Sequence, residues 1–253
     1  MFSPTALNVH SAIGILIVLV SVPLLFFALS RVRAGHLPRL RALPAFEQIA
    51  GVSSRAAETG KLLHVALGLG GIAGPDTVVS LAGLTALERL ADRAAAVEAR
   101  LVVSVADPTL LAAAQEVLRR AYSRQSKEDV FSPLQVRLVA PDAAAYAAGV
   151  MSVLEVEDPL ATVNIGAFGD EYLLIGEAGV KAGVEQVAGA DDPAALAFMY
   201  ATTDKTLIGE EMMAVGAYLE PDPESTAGVM VQDWWRWLVV AIIVAGVIWQ
   251  TVL

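Results

Sequence analysis

An uncharged apolar stretch lies at each end of this chain, and the pair limits what the rest can be. Residues 12–29 (AIGILIVLVSVPLLFFAL) and 237–253 (WLVVAIIVAGVIWQTVL) contain no Asp, Glu, Lys or Arg. Each is close to the roughly 20 apolar residues that cross a hydrocarbon core of about 30 Å. In lipid, a helix is the single-segment structure that satisfies its own backbone. The sequence therefore divides into an N-terminal transmembrane helix (1–30), a basic juxtamembrane linker (31–50), a central domain (51–220), an acidic linker (221–233) and a C-terminal transmembrane helix (234–253).

Charge placement sets the orientation. Arg31, Arg33, Arg39 and Arg41 follow the first apolar stretch, and the ten residues before it contain no Lys or Arg. Basic residues beside a span stay on the cytoplasmic side, so both termini are expected outside and the central domain in the cytoplasm. Arg236 lies on the domain side of the second span and agrees. Trp234, Trp235 and Trp237 cluster at the same boundary, where an indole places its polar edge in water and its body in lipid. The arginine linker is expected to lie on anionic headgroups. A cleaved signal peptide, suggested by Ala28-Leu29-Ser30, would need its positive charge before the apolar run. Pro23 removes one backbone donor within the first helix. Gly246, Ala241 and Ala245 give the second a small-residue surface for helix contact. Neither span carries an ionisable residue, which argues against a transporter or channel built by one chain.

The chain has no cysteine, so disulfides, thiolate catalysis and cysteine–metal sites are excluded. Its net charge is −10. Residues 142–233 hold many Asp and Glu against Lys181 and Lys205 alone, a balance that repels nucleic acid.

Between the spans, short apolar runs alternate with helical periodicity. Strands are expected at 62–67 (LLHVAL), 101–105 (LVVSV) and 134–139 (LQVRLV), with helices at 76–98, 108–122 and 142–152. Alternation of this kind builds βαβ units. The second half is less regular. ATVNIGA (161–167) and EYLLI (171–175) read as a hairpin across Phe168-Gly169-Asp170, VEQV (184–187) as a further strand, and 193–203 and 206–219 as helices. The fold class expected is α/β: a Rossmann-like, mostly parallel sheet with flanking helices, set between N-terminal and C-terminal transmembrane helices.

The strongest local motif is the loop GLGGIAG, with Gly68, Gly70, Gly71 and Gly74 between a strand and a helix. Glycines there allow positive φ and close approach, and a helix N-terminus offers N–H groups to a phosphate or carboxylate. Gly68-x-Gly70-x-x-Ala73 fits the looser dinucleotide pattern. Asp76 would place negative charge beside a bound phosphate, and Asp107 lies some 33 residues past Gly74 where about 20 is usual. A structural turn is the competing reading. His64 is the sole histidine of the domain and fits a core imidazole better than a base. Asp170/Glu171 and Glu210/Glu211 are adjacent in sequence and so point apart, and Asp191-Asp192-Pro193 reads as a helix cap. Arg119, Arg120, Arg124 and Lys127 form a basic patch that either complements a helix dipole or docks on the acidic half of another copy. No catalytic residue, metal site or cofactor follows from these residues.

HVALGLGGIAGPDT, SLAGL, AQEVLRRAY, VRLVAPDAAAYAAG and IGEEMMAVGAYL together resemble a family of bacterial two-transmembrane proteins known as a domain of unknown function. The resemblance runs from about residue 55 to the second span. It implies a bacterial inner membrane and assigns no activity, cofactor or site residue. The expected role is a non-enzymatic membrane scaffold assembled from copies of the chain, with the bilayer as a partner and other membrane-complex subunits as further ones. The alternative is a membrane-tethered nucleotide- or anion-binding sensor or enzyme that uses the Gly68–Gly74 loop.

Overall fold

The computed structural model of the protein describes residues 9–38, 40–203, 205–219 and 221–252. They form two compact units, one from the chain's ends (up to Leu40 and from Pro221 onwards) and one from residues 41–220. In chain order the elements are α1 (Val9–Arg33), α2 (Pro44–Thr59), β1 (Leu63–Gly68), α3 (Thr77–Ala96), β2 (Leu101–Val105), α4 (Pro108–Arg124), β3 (Val136–Leu138), α5 (Ala143–Val156), β4 (Ala161–Ala167), α6 (Tyr172–Ala182), β5 (Glu185–Ala190), α7 (Pro193–Thr202), β6 (Thr206–Ile208), α8 (Val215–Leu219) and α9 (Pro223–Val252).

The end unit is an antiparallel pair, α1 against α9. Trp235 Nε1 donates to Ser21 Oγ (3.1 Å), the Trp234 ring lies 6.0 Å from Phe27, and Arg33 pairs with Glu224 at 2.9 Å. Ala28, Val32, Ala227 and Val231 bury the seam. Away from it the apolar side chains face outward: Leu19, Phe26 and Trp249 are 66%, 68% and 72% exposed. Apolar surface of this extent is out of place in water. Both helices are long and apolar enough to cross a membrane.

Two boundaries differ from the sequence reading. The stretch 221–233, read as an acidic linker, is helical from Pro223. Asp222 caps it, accepting from Ser225 N at 2.6 Å, and Pro223 fills the first helical position where its missing N–H costs nothing. The basic linker is likewise shorter than 31–50, because α1 runs to Arg33 and α2 starts at Pro44. The buried residues of α2 (Ala45, Phe46, Ile49, Val52, Ser53, Ala56) follow helical spacing.

The domain is built on a six-stranded sheet in the order β3-β2-β1-β4-β5-β6, with every neighbour parallel. Because side chains alternate along a strand, the sheet has two faces of different character. Leu63, Val65, Leu67, Val103, Val163 and Ile165 point into an apolar core with α2, α3, α4 and α8. Ala66, Ala188 and Ala190 meet α5, α6 and α7 on the other. Within the domain, its first and last helices meet: Phe46 of α2 stacks on Tyr218 of α8 with ring centroids 4.7 Å apart.

The second half departs from expectation. EYLLI is not a strand but the start of α6, with Tyr172 and Ile175 buried on one face three residues apart. The expected antiparallel hairpin is therefore absent, and α6 carries β4 over to a parallel β5. TLIGEEMMAVGAYL is not one helix: Thr206–Ile208 pairs with β5, a 3₁₀ turn covers Gly209–Ala214, and α8 follows. A run this short takes its state from its neighbour, here the open edge of β5. β3 begins at Val136, not 134, because Pro133–Gln135 forms a 3₁₀ turn capped by Ser132.

Candidate functional site

The order of winding reverses between β1 and β4. In open parallel sheets, ligands bind beyond the carboxyl ends of the strands at such a point. Here that point is pinched. Gly68 has φ +74°, and a β-carbon on it would fall 2.1 Å from the carbonyl oxygen of Ala167. A β-carbon on Gly166 would fall 2.0 Å from the oxygen of Leu67. Leu69 N donates to Ala167 O at 2.8 Å. The ladder shifts register between Ala66 and Gly68. Tyr146, buried on α5, accepts from Gly68 N and donates to Ser104 O, both at 3.1 Å. Burial pushes its phenol pKa well up, so it stays protonated.

The rest of the glycine loop is engaged within the chain. The open side of Gly70 faces Ser80 Oγ, Ala167 and Asp76, and that of Gly71 rests on the Asp107 carboxylate. Gly74 alone of the four has open space around it. Two backbone N–H groups of the loop are already taken: Ile72 N by Thr109 Oγ1 (3.1 Å) and Gly74 N by Thr77 Oγ1 (3.2 Å). Asp107 caps α4 through Thr109 N (2.7 Å) and Leu110 N (3.3 Å). Its hydrogen bond from the Thr109 hydroxyl, with those two amides, holds its carboxyl below the usual range.

Beside the loop lies a crevice of about 360 Å³, lined by Leu69, Asp76, Ala167, Phe168, Asp191, Asp192 and Pro193. Its three carboxylates give it a negative potential, hostile to phosphate. Asp192 also caps α7, accepting from Ala194 N at 2.7 Å, as the sequence suggested. Among the described residues, no three His, Cys, Asp or Glu side chains converge to hold a metal.

His64 is fully buried on the α5–α6 face of the sheet, at the centre of a polar chain that sequence reasoning missed. Its Nδ1 lies 2.9 Å from Thr162 Oγ1 and its Nε2 2.9 Å from Ser104 Oγ. Thr162 donates to Asn164 Oδ1 (3.0 Å), and Asn164 Nδ2 donates to Tyr172 Oη (3.3 Å). The directions settle the tautomer. Thr162 has spent its proton on Asn164, so it accepts from His64 Nδ1–H, and Nε2 accepts from Ser104. Burial first, and Arg137 second, lower the imidazole pKa from 6.5 to about 3. The Ser104–His64 pair has the hydrogen bond of a nucleophile and its base, but both residues are 0% exposed. The available signal was one polar residue, Ser104, within apolar LVVSV and two, Thr162 and Asn164, at alternate positions of ATVNIGA.

The remaining site residues sit as follows. Arg119 and Arg120 pair with Glu116, Arg124 with Glu88 and Asp92, and Lys127 with Glu98, so the basic patch is neutralised inside the chain. Arg41 pairs with Glu211. Arg31 is exposed, Arg236 pairs with Asp233 at 3.3 Å, Trp237 is exposed, and Trp234 and Trp235 lie in the helix seam. Arg39 lies outside the described residues.

One family model, Domain of unknown function (DUF6754), matches residues 3–253 and so takes in both apolar helices as well as the sheet. The chain belongs to the DUF6754 family. Neither the curated proteins nor the solved structures contain a match to this DUF6754 chain.

Proposed function

We propose that this DUF6754 protein is a membrane-anchored assembly protein, not an enzyme. α1 and α9 span the bilayer with both termini outside, and a Rossmann-like α/β domain faces the cytoplasm and associates with other copies to form a scaffold. The observation that carries the reading is the switch point: Gly68, Gly70 and Gly71 and two loop N–H groups are engaged inside the chain. A phosphate cradle needs that loop open, with backbone N–H groups left to donate. Because the basic patch is paired internally, association rests on apolar surface instead of charge. α6 and α7 supply it with Leu173, Leu174, Val180 and Tyr200, all exposed. The test is size in mild detergent at near-physiological salt, with Leu174→Glu and Tyr200→Glu as variants. A particle of several copies that falls apart in the variants supports the reading, and a monomer in all three sinks it.

A second reading, a nucleotide or other anion held by the Gly68–Gly74 loop, has the adjoining crevice of about 360 Å³ in its favour. Gly74 is the residue to probe it with, because a larger side chain at Gly70 would meet Ser80 and disturb the fold regardless of ligand. Loss of ATP or inorganic phosphate binding in Gly74→Val would support it. An absence of binding to the unaltered chain would end it.

A further inference from the structure

We propose that a cavity at the amino edge of β2 and β3, at the end of the sheet opposite the glycine loop, binds a phosphate group. The cavity measures about 200 Å³, and its walls include Arg100, Leu101, Val102, Ser132, Leu134 and Arg137. That volume lies below the range of drug-sized pockets and suits a small anion or the head of a larger one.

Charge separates this cavity from the crevice beside the glycine loop. Three carboxylates line the crevice, whereas no Asp or Glu lines this cavity. Two guanidinium groups do, on a chain whose net charge is −10. Other cations at the same edge are already matched: Lys61 pairs with Asp158 at 2.6 Å, and Arg55 pairs with Glu185. Arg100 is not. Its backbone oxygen accepts from Leu63 N at 2.8 Å, which fixes its place at the start of β2, but its guanidinium has no hydrogen bond or ion pair among the described residues.

The other donors are placed around it. Arg137 is opposite Ser104 in the ladder, and alternation along β2 puts Arg100 on the same face. Arg137 gives Nη1 and Nη2 to Glu157, which leaves its Nε side open. Ser132 Oγ accepts from Leu134 N at 3.4 Å, and its own proton has no acceptor among the described residues. Gln135 holds this segment in place: its Oε1 accepts from Ser132 N and its Nε2 donates to Tyr122 Oη, both at 3.1 Å. A carboxylate has two oxygens and fills one guanidinium fork. A phosphate carries more charge and more oxygens, enough for both arginines and the hydroxyl. A soluble phosphomonoester and a lipid headgroup share this chemistry. The inference stands apart from the association reading, since it needs no second copy of the chain.

The test is isothermal titration of the full chain, in uncharged detergent at low salt, with inorganic phosphate and with acetate. Phosphate is expected to bind saturably and more tightly than acetate. Arg100→Gln, at an exposed side chain without a partner, is expected to weaken it at least tenfold. The double variant Arg137→Gln with Glu157→Gln, which leaves no unpaired carboxylate, is expected to do the same. Gly74→Val and Arg119→Gln, both outside the cavity, are expected to leave it unchanged. Circular dichroism checks that each variant is folded. Nanodiscs of phosphatidylcholine with phosphatidic acid, or with an equal share of phosphatidylserine, identify the source. Weaker phosphate binding with phosphatidic acid assigns the site to a lipid phosphomonoester, and equal binding in both assigns it to a soluble one. The proposal is overturned if phosphate does not bind, if acetate binds as tightly, or if Arg100→Gln binds phosphate as the unaltered chain does.

Discussion

Gly68 and Ala167 meet backbone to backbone, so closely that a β-carbon on Gly68 would lie 2.1 Å from the Ala167 carbonyl oxygen. The contact closes the carboxyl end of the sheet between β1 and β4, the place where a parallel sheet of this winding would otherwise open to a ligand.

Gly68→Ala combines a left-handed backbone with this overlap and is expected to destabilise the domain by more than about 2 kcal/mol. Gly74→Ala, in open space and without positive φ, is expected to stay within about 0.5 kcal/mol. Thermal or urea unfolding of the two variants checks the contrast; equal stabilities would mean that the strands do not meet as described.

Tyr146 holds the same junction from the other side. Tyr146→Phe leaves Gly68 N and Ser104 O without their shared partner, a loss expected to cost about 1–3 kcal/mol. Hydrogen exchange at the Gly68 amide is expected to accelerate in the variant. An unchanged rate would show that the phenol does not protect it.

His64 makes acid stability directional. Its folded pKa of about 3 lies below the 6.5 of a free imidazole, so between these values the unfolded chain binds a proton that the folded one refuses. The contribution is whole above pH 6.5 and is lost as pH falls towards 3, with a slope of up to about 1.4 kcal/mol per pH unit. His64→Gln keeps a donor and an acceptor but does not titrate, so its unfolding free energy is expected to fall less steeply between pH 6 and 4. Parallel curves would place the imidazole in water instead.

The helix seam of the end unit is expected to be forgiving. Trp235→Phe removes the bond to Ser21 Oγ, and interhelical hydrogen bonds in membranes are worth on average about 0.6 kcal/mol. Unfolding in detergent micelles measures the loss; a change several times larger would mean that the indole anchors more than this contact.

The first half of the domain was legible because its strands and helices differ in period: LVVSV and the helix after Pro108 announce themselves, and both formed where expected. EYLLI misled because five residues do not separate period two from period 3.6, and only the burial of Tyr172 with Ile175 decides. TLI became a strand because β5 offered it an edge, a fact of the assembled sheet and not of the segment. Asp222-Pro223 was a readable helix start whose acidic composition resembled a linker. At the carboxyl edge the glycine spacing was plain, but whether a glycine faces a ligand or a neighbouring carbonyl depends on β4, a hundred residues away. The His64 chain joins three strands and a helix, so the polar residues within LVVSV and ATVNIGA gain meaning only once those strands are paired.

The central claim is association without catalysis at the switch point, and its most direct test is the mass of the intact particle released from native detergent or nanodiscs, with bound small molecules retained. The account predicts a mass of several copies of the chain and no nucleotide-sized addition. A monomer carrying a nucleotide-sized mass would contradict it and move the function to the glycine loop.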